Sequence, residues 1–136
     1  MARKALVVPL AVAALAIAPP GDAGWAFSST GSGKVGSQTM PAGNTPSGSI
    51  SINNVTVSWS ASHLSGGQSI PGYVVKRYNA LTNVLSTTLA SCSGIVTATS
   101  CTENGVPTGT WRYTVTPAAG SWRGAESAQS AIVIVV

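Results

Sequence analysis

The chain has 136 residues, enough for one domain, and carries a net charge of +4 with only 7% of its residues charged. Beyond Arg3 and Lys4 it has five lysines and arginines, which are scattered along the sequence rather than clustered in a run. This excludes the dense basic stripe of a nucleic-acid-binding surface, so no nucleic-acid partner is expected. The abundance of Ser, Thr, Gly and Val favours short strands over solvated helices.

Residues 1–26 have the pattern of a secretory signal peptide. Arg3 and Lys4 form a basic start, an apolar run of fourteen residues follows from Ala5 to Ala18, and small residues up to Ala26 offer cleavage sites. As a helix this run would span only about 21 Å, against a hydrocarbon core of about 30 Å. We therefore expect a cleaved leader rather than a membrane anchor. The predicted protein is secreted, extracellular or associated with the cell surface, and has no membrane span after cleavage.

The two cysteines are interpreted together with this export signal. Cys92 and Cys101 are the only cysteines in the chain, and an oxidising compartment favours a disulfide between them. No histidine lies near enough in sequence to complete a zinc site with two thiolates. We expect no metal and no cofactor.

Residues 27–44 consist mostly of Gly, Ser, Thr and Pro with few large apolar side chains. This composition predicts a flexible lead-in, with a further expectation of an early edge strand at 34–40. The folded domain is expected to occupy residues 45–136.

Alternating apolar and polar residues begin at Ser49 and recur in short runs separated by turn residues. This period of two is typical of strands with one buried face. The runs are 49–52, 55–60, 70–78, 84–89, 94–99, 109–116 and 127–136. An Asn53-Asn54 turn separates the first two. The pattern predicts an all-β fold, a seven-stranded antiparallel β-sandwich.

Several of these runs resemble strands of a fibronectin type III domain. The segment 55–59, Val-Thr-Val-Ser-Trp, resembles the second strand, whose tryptophan lies in the core. The segments 72–78 and 106–115 resemble the third strand and the approach to the sixth, and 126 onward resembles the seventh. Residues 24–33 are similar to the leader-to-mature junction of Gram-positive, actinobacterial-type surface proteins. The resemblance implies an immunoglobulin-like β-sandwich and a non-catalytic module.

Four aromatic residues are expected in the structural core: Trp59, Tyr73, Trp111 and Tyr113. In the resembled family a corner tyrosine follows the Gly-Thr pair by two residues. Here Trp111 follows Gly109-Thr110 by one residue and Tyr113 by three, so either side chain could take the corner position.

The residues available for catalysis are few. His63 is the single histidine and is expected to be exposed in a loop. Glu103 is expected in the loop between the fifth and sixth strands, and Glu126 near the start of the seventh, at opposite ends of the sandwich. Neither a Ser-His-Asp triad nor a carboxylate pair can be assembled from this set. We expect no catalytic residues and no enzyme activity.

The expected binding residues are Trp122 and Arg123, in the loop 117–124 between the last two strands. This loop resembles the recognition loop of many fibronectin type III domains, and a Trp beside an Arg is a common interface anchor. The alternative is that Trp122 folds back over the edge of the sandwich.

Three functions are compatible with these observations. The favoured one is a non-catalytic extracellular interaction module that binds an unknown extracellular protein or polysaccharide through its loops. The alternative is a structural subunit of a surface layer, fibre or biofilm matrix that polymerises through edge strands or the lead-in. An accessory domain linked to polysaccharide degradation is less favoured.

Overall fold

The computed structural model describes residues 37–136. The predicted signal peptide, 1–26, and the first part of the predicted lead-in lie outside the described residues. Within the described part of the chain, no helix is long and apolar enough to cross a membrane.

Nine short strands and one 3-10 turn, Ala90–Cys92, make up the described domain. The strands are β1 Ser47–Ser51, β2 Asn54–Ser58, β3 Gly72–Asn79, β4 Leu85–Ser86, β5 Ile95–Val96, β6 Ser100–Glu103, β7 Gly109–Ala119, β8 Trp122–Arg123 and β9 Val133–Val135. The smaller sheet has the order β1-β2-β6 and the larger one β4-β3-β7-β8, with β5 also pairing with β3 and β9 with β7. All these pairs are antiparallel. The predicted class, an antiparallel β-sandwich, is confirmed.

The core lies between the inner faces of β2, β3 and β7. β2 and β3 bury alternate residues, and so does the start of β7, which is why a period of two located these strands; residues 113–118 of β7 are all buried. Trp59, Tyr73, Trp111 and Tyr113 are all buried. The Trp59 and Tyr73 rings meet edge to face with centroids 5.4 Å apart, a favoured aromatic geometry.

The corner hydrogen bond is made by Trp111. Its indole Nε1 donates to the backbone oxygen of Pro107, four residues upstream, at 2.9 Å. This is the kind of bond back to the preceding loop that a corner tyrosine makes in sandwich domains. Tyr113 points instead at Glu103, so the structure assigns the corner to the tryptophan.

A buried ion cluster joins the two sheets. Arg77 of β3 donates from Nη1 to both carboxylate oxygens of Glu103 of β6, at 3.0 and 2.9 Å, and the two side chains are only 3% and 0% exposed. The Tyr113 hydroxyl donates to the same carboxylate at 2.7 Å, and the backbone N–H of Leu89 donates to it as well. Burial and the bond to Glu103 raise the pKa of Tyr113 well above its usual range. The guanidinium also lies over the Trp111 ring, 4.7 Å from its centroid.

The position expected for Glu103 is therefore wrong. The residue ends β6, a strand that the sequence pattern did not reveal, and the strand expected at 94–99 is reduced to Ile95–Val96. In β6 the inward positions are Cys101 and Glu103. A glutamate at an inward position breaks the apolar alternation on which the prediction relied.

Other strand ends also differ from the prediction. The first turn is at residues 52–53, because Ser51 pairs with Asn54. The expected strand 84–89 is only Leu85–Ser86. The expected loop 117–124 is wrong in part, since β7 continues to Ala119 and β8 follows within it.

The last strand is shorter than expected because two serine side chains accept hydrogen bonds that the backbone of a regular strand would accept. The hydroxyls of Ser127 and Ser130 accept hydrogen bonds from the N–H groups of Val115 and Tyr113, at 2.9 and 3.0 Å. The backbone N–H of each serine donates to the carbonyl of the same partner. Residues 127–130 thus follow β7 without forming regular strand, and β9 begins only at Val133.

Residues 37–44 contact the domain at several points. The N–H of Thr39 donates to Ser65 Oγ at 3.0 Å, and the N–H of Gly43 donates to the carbonyl of Ala125. Met40 packs against the core. The edge strand expected at 34–40 is wrong for residues 37–40, which form no strand, since the Thr39 N–H is used by a side chain rather than a ladder.

The predicted disulfide between Cys92 and Cys101 is present. It holds the 3-10 turn against the outer edge of β6. The neighbouring Ser91 hydroxyl accepts from the N–H of Thr102 at 2.9 Å and donates to its carbonyl at 3.0 Å. The free backbone groups of Thr102 are thereby satisfied, so this edge is closed to pairing with another strand.

Candidate binding surface on the larger sheet

The expected binding residues lie at the tip of a tight hairpin. Trp122 and Arg123 form β8 and pair with Ala119 and Ala118 at the end of β7. The turn consists of Gly120 and Ser121, with φ of +58° at the glycine. A positive φ at the first turn position alone is the pattern of a type II′ turn, which favours glycine there. The hairpin tip, residues 119–123, is thus a defined structure projecting from the longest strand.

The two side chains of the tip are available for contact. Trp122 is 45% exposed, so it does not fold back into the edge of the sandwich. Arg123 is exposed, and its Nη1 donates to the carbonyls of Gly120 at 2.6 Å and Trp122 at 3.0 Å. Because neighbours on a strand point to opposite faces, Trp122 and Arg123 present themselves to opposite sides of the hairpin.

Arg123 is one wall of a shallow groove on the outer face of the larger sheet. The groove has a volume of ≈ 340 Å³ and is lined by residues of β3, β7 and the segment after β8. They are Val74, Lys76, Thr116, Arg123, Gly124 and Glu126. We call it the outer groove. The hydroxyl of Thr116 is buried, and no hydrogen-bond partner is present for it among residues 37–136.

Glu126 organises the other wall of the outer groove. Its carboxylate accepts from Lys76 Nζ at 2.9 Å, from the Tyr78 hydroxyl at 2.6 Å and from the Thr114 hydroxyl. Lys76 and Tyr78 lie on β3 and Thr114 lies on β7, at neighbouring positions of the ladder. The three donors hold the carboxylate across the sheet at the margin of the groove.

The hydrogen bonds set the pKa of Glu126. Partial burial by itself raises this pKa, but the bonds from Thr114, Tyr78 and Lys76 outweigh it and hold the pKa below its ordinary value of 4.5. The pKa of Lys76 is raised, chiefly by the same hydrogen bond to Glu126. The pair therefore stays charged over a wider pH range than its free groups would.

A titration tests this arrangement. Because the folded pKa of Glu126 is lower than its unfolded value, its stabilising effect is complete above pH 4.5 and is lost as the pH falls through the folded pKa. Replacing Thr114→Val removes one donor without changing the shape, so the carboxyl should titrate at higher pH. NMR titration of the Glu126 side-chain carboxyl carbon measures this. An unchanged titration midpoint in Thr114→Val would contradict the assigned hydrogen bond.

The candidates for catalysis do not come together. Glu103 is enclosed in the core ion cluster, and Glu126 lies on the outer face of the larger sheet. His63 is exposed, and its backbone bridges Ser69. Among residues 37–136, no group of three or more His, Cys, Asp or Glu could hold a metal ion.

Sequence reasoning missed the partners of Glu126. Lys76 and Tyr78 were recognised only as members of a strand, and Thr114 only as a polar position in another. The alternation of residues in β3 could have shown that Lys76 and Tyr78 lie on the same face, since residues 74, 76 and 78 share the solvent face of this strand. The pairing of that face with Glu126 depends on the path of residues 124–130, which periodicity does not specify.

Neither protein-family models nor the sequences of curated proteins match this chain. Solved structures do match it. The chain is similar to a crystal structure of titin domains, with 17% identity and a TM-score of 0.59 over 72% of this chain and 33% of that one. It is similar to a titin module from human cardiac muscle, with 16% identity and a TM-score of 0.56 over 70% and 91% of the two chains. A Fn3-like protein from Clostridium thermocellum matches with 24% identity and a TM-score of 0.50, over 72% of this chain and 93% of that one.

The chain has the fibronectin type III fold. Since the identities are below 25%, the likeness concerns the fold and not a shared partner. The chain spans a third of the longer titin structure and most of the two single-domain structures. In this fold the hairpin tip belongs to the connection between β7 and β9, which is where the sequence resemblance located a recognition loop.

Proposed function

We propose that this chain is a non-catalytic extracellular interaction module that binds a protein or polysaccharide of the cell surface through the hairpin tip and the outer groove. The observation that carries the proposal is the exposure of Trp122 on a tight, defined hairpin. Tryptophan is enriched at interfaces because one side chain combines a large apolar area with an N–H donor.

The surroundings of Trp122 support the same role. Arg123 is oriented by two carbonyl groups of its own hairpin, so little side-chain entropy remains to be lost when it meets a partner. Gly124 has no side chain, and a Cβ there would come within 2.1 Å of the Pro41 carbonyl. The glycine therefore lets residues 40–41 pack closely behind this wall of the outer groove. Tryptophan and arginine are the residue types that most often dominate binding energy at interfaces.

The alternative of an open polymer built through edge strands has less support. A fibre needs two accessible edges on each subunit. The edge of β6 is closed by Ser91 and the disulfide, and β4 and β5 have two residues each. Within residues 37–136, the unpaired sides of β1 and β9 lie next to each other on one side of the sandwich, so they do not supply two opposite edges. Short edge strands and covered edges are common devices against such pairing.

The test is a binding assay with matched variants. Purified chain is incubated with a Gram-positive cell-envelope fraction, and the bound fraction is measured after pelleting. Trp122→Ala combined with Arg123→Ala should abolish binding while leaving the midpoint of unfolding nearly unchanged. Leu81→Ala is the control, because Leu81 is a large exposed apolar residue in the turn between β3 and β4, at the other edge of the larger sheet.

The single variants refine the result. Because Trp122 and Arg123 face opposite sides of the hairpin, a ligand that occupies only the outer groove should depend on Arg123 and tolerate Trp122→Ala. Full binding by the double variant, or a loss of binding accompanied by a lowered unfolding midpoint, would contradict the proposal.

A further inference from the structure

The exposed charge of the domain lies on one face. Among residues 37–136, the charged side chains that reach solvent are Lys76, Arg112, Arg123 and Glu126, and the others belong to the buried ion cluster. The odd-numbered residues of β3 and β7 face the core, so Lys76 and Arg112 point outward. Arg123 shares this outer face with its ladder partner Ala118. The outer face of the larger sheet thus carries three cations and one anion, whereas β1 and β2 of the smaller sheet contain no charged residue.

These side chains form a row across the larger sheet. Measured along β7, Arg112 lies two positions before the partner of Lys76 and six before the partner of Arg123. At about 3.4 Å per residue, the backbone positions of the two arginines are roughly 20 Å apart along the strand. Glu126 is bonded to Lys76 and therefore lies between them. We call this row, Arg112, Lys76, Glu126 and Arg123, the cationic track.

The two arginines at the ends of the cationic track have donors left for a ligand. Within residues 37–136, Nη1 of Arg123 makes both of its hydrogen bonds, so the N–H donors on Nη2 and Nε remain. Neither Arg112 nor Arg123 forms an ion pair with an acidic residue of the described domain. Nη2 and Nε lie side by side in the guanidinium plane, an arrangement that matches the two oxygens of one carboxylate. Each end of the track can therefore bind an anionic group.

The middle of the cationic track suits a hydroxyl group. A carboxylate offers about four acceptor sites, and the donors Lys76, Tyr78 and Thr114 already use three sites of Glu126. The Glu126 side chain is 32% exposed, so the remaining site can accept a hydrogen bond from a ligand. A second anionic group placed here would be repelled by the carboxylate. The track therefore favours a ligand that has hydroxyl groups between two separated anionic groups.

This pattern argues against other anionic partners. Duplex DNA carries one negative charge per about 1.7 Å, far denser than two arginines roughly 20 Å apart. The centre of a protein–protein interface is usually depleted of charged residues, whereas Lys76, Arg123 and Glu126 make up half of the lining of the outer groove. A hydrated chain of sugars that carries a carboxylate on only some of its units fits both the spacing and the polarity.

We propose that the cationic track binds an acidic polysaccharide, a chain in which sugars with a carboxylate are separated by neutral sugars. Arg112 and Arg123 each pair with a carboxylate, and Glu126 accepts a hydrogen bond from a hydroxyl of the sugar between them. The inference rests on the proposed function, whose ligand class it specifies. It extends the binding surface from the outer groove to Arg112.

Binding of hyaluronan, measured by isothermal titration calorimetry, tests the proposal, because this polymer carries a carboxylate on every second sugar. The purified chain should bind hyaluronan and should not bind the same polymer after its carboxylates have been reduced to alcohols. Arg112→Gln should weaken binding by about tenfold, the effect of losing one charge-assisted contact, and Arg112→Lys should retain more of the affinity. Added salt should weaken binding, because association releases counterions of the polymer.

Ser51→Glu is the matched control for Arg112→Gln. Both changes lower the net charge of the chain by one, but Ser51 is exposed on β1 of the smaller sheet. If the cationic track binds the polymer, Ser51→Glu should leave the affinity nearly unchanged. Thermal unfolding of each variant establishes that it is folded.

Several results would overturn the proposal. They are the absence of hyaluronan binding, equal binding of the carboxyl-reduced polymer, and equal weakening by Ser51→Glu and Arg112→Gln. Binding of poly-glutamate as tight as that of hyaluronan would also overturn it and would indicate an acidic protein as the partner. A chain that pellets with the cell-envelope fraction but binds no acidic polysaccharide contradicts this inference alone. A chain that does not pellet contradicts the proposed function, and this inference with it.

Discussion

Replacing Glu103→Gln is expected to destabilise the domain by about 3–5 kcal/mol, the cost of leaving one partner of a buried ion pair uncompensated. The glutamine keeps the size of the side chain but leaves the charge of Arg77 without a counterion in a site that is closed to water. Denaturant unfolding, read from the shift in midpoint at constant slope, measures the effect.

A double variant distinguishes the cost of an unpaired buried charge from the cost of lost side-chain packing. Arg77→Met combined with Glu103→Leu should cost less than either single replacement, because removing both charges leaves no unpaired charge in the core. The exposed pair Lys76–Glu126 is the control, and Glu126→Gln should cost less than about 1 kcal/mol. If Glu103→Gln is as mild as Glu126→Gln, the core ion cluster does not contribute as described.

Replacing Trp59→Ala is expected to destabilise the domain by about 3–5 kcal/mol, the usual range for a large buried aromatic. The ring fills the space between the sheets and contacts Tyr73, so its removal leaves a cavity that neighbouring strands cannot close. Because a domain of this size holds only about 5–15 kcal/mol of total stability, this loss is a large fraction of the whole.

Trp122→Ala is the matched control for this effect. It removes the same ring from an exposed position, and surface changes of that kind usually fall within about 0.5 kcal/mol. Thermal or denaturant unfolding of both variants gives the comparison. A loss below about 1 kcal/mol for Trp59→Ala would mean that the tryptophan does not hold the core together.

The fold was predictable because the strands that build the core follow simple alternation. In β3, residues 73, 75 and 77 face inward, and in β7 residues 111, 113 and 115 do the same. These strands pair over eight positions and carry most of the sandwich. Local periodicity was therefore enough to find them, and the resemblance of segments such as 55–59 and 72–78 to fibronectin type III strands indicated the kind of sandwich.

The parts that sequence reasoning missed depend on contacts between distant residues. Glu103 was assigned to a loop because a charged residue at an inward strand position is favourable only when a partner such as Arg77 is supplied by the other sheet. The strand expected from residue 127 failed for a related reason. The hydroxyls of Ser127 and Ser130 take over hydrogen bonds that a regular strand would make with its backbone, and no sequence period marks that exchange.

The core ion cluster also bears on how the chain folds. Arg77 belongs to the larger sheet and Glu103 to the smaller, 26 positions apart in the sequence. Each side chain reaches a low-dielectric environment only when both sheets are assembled. A partly folded species with a single sheet would have to keep one of these charges hydrated or bury it alone at a large cost. The cluster thus disfavours half-formed states and makes assembly of the two sheets a single cooperative event.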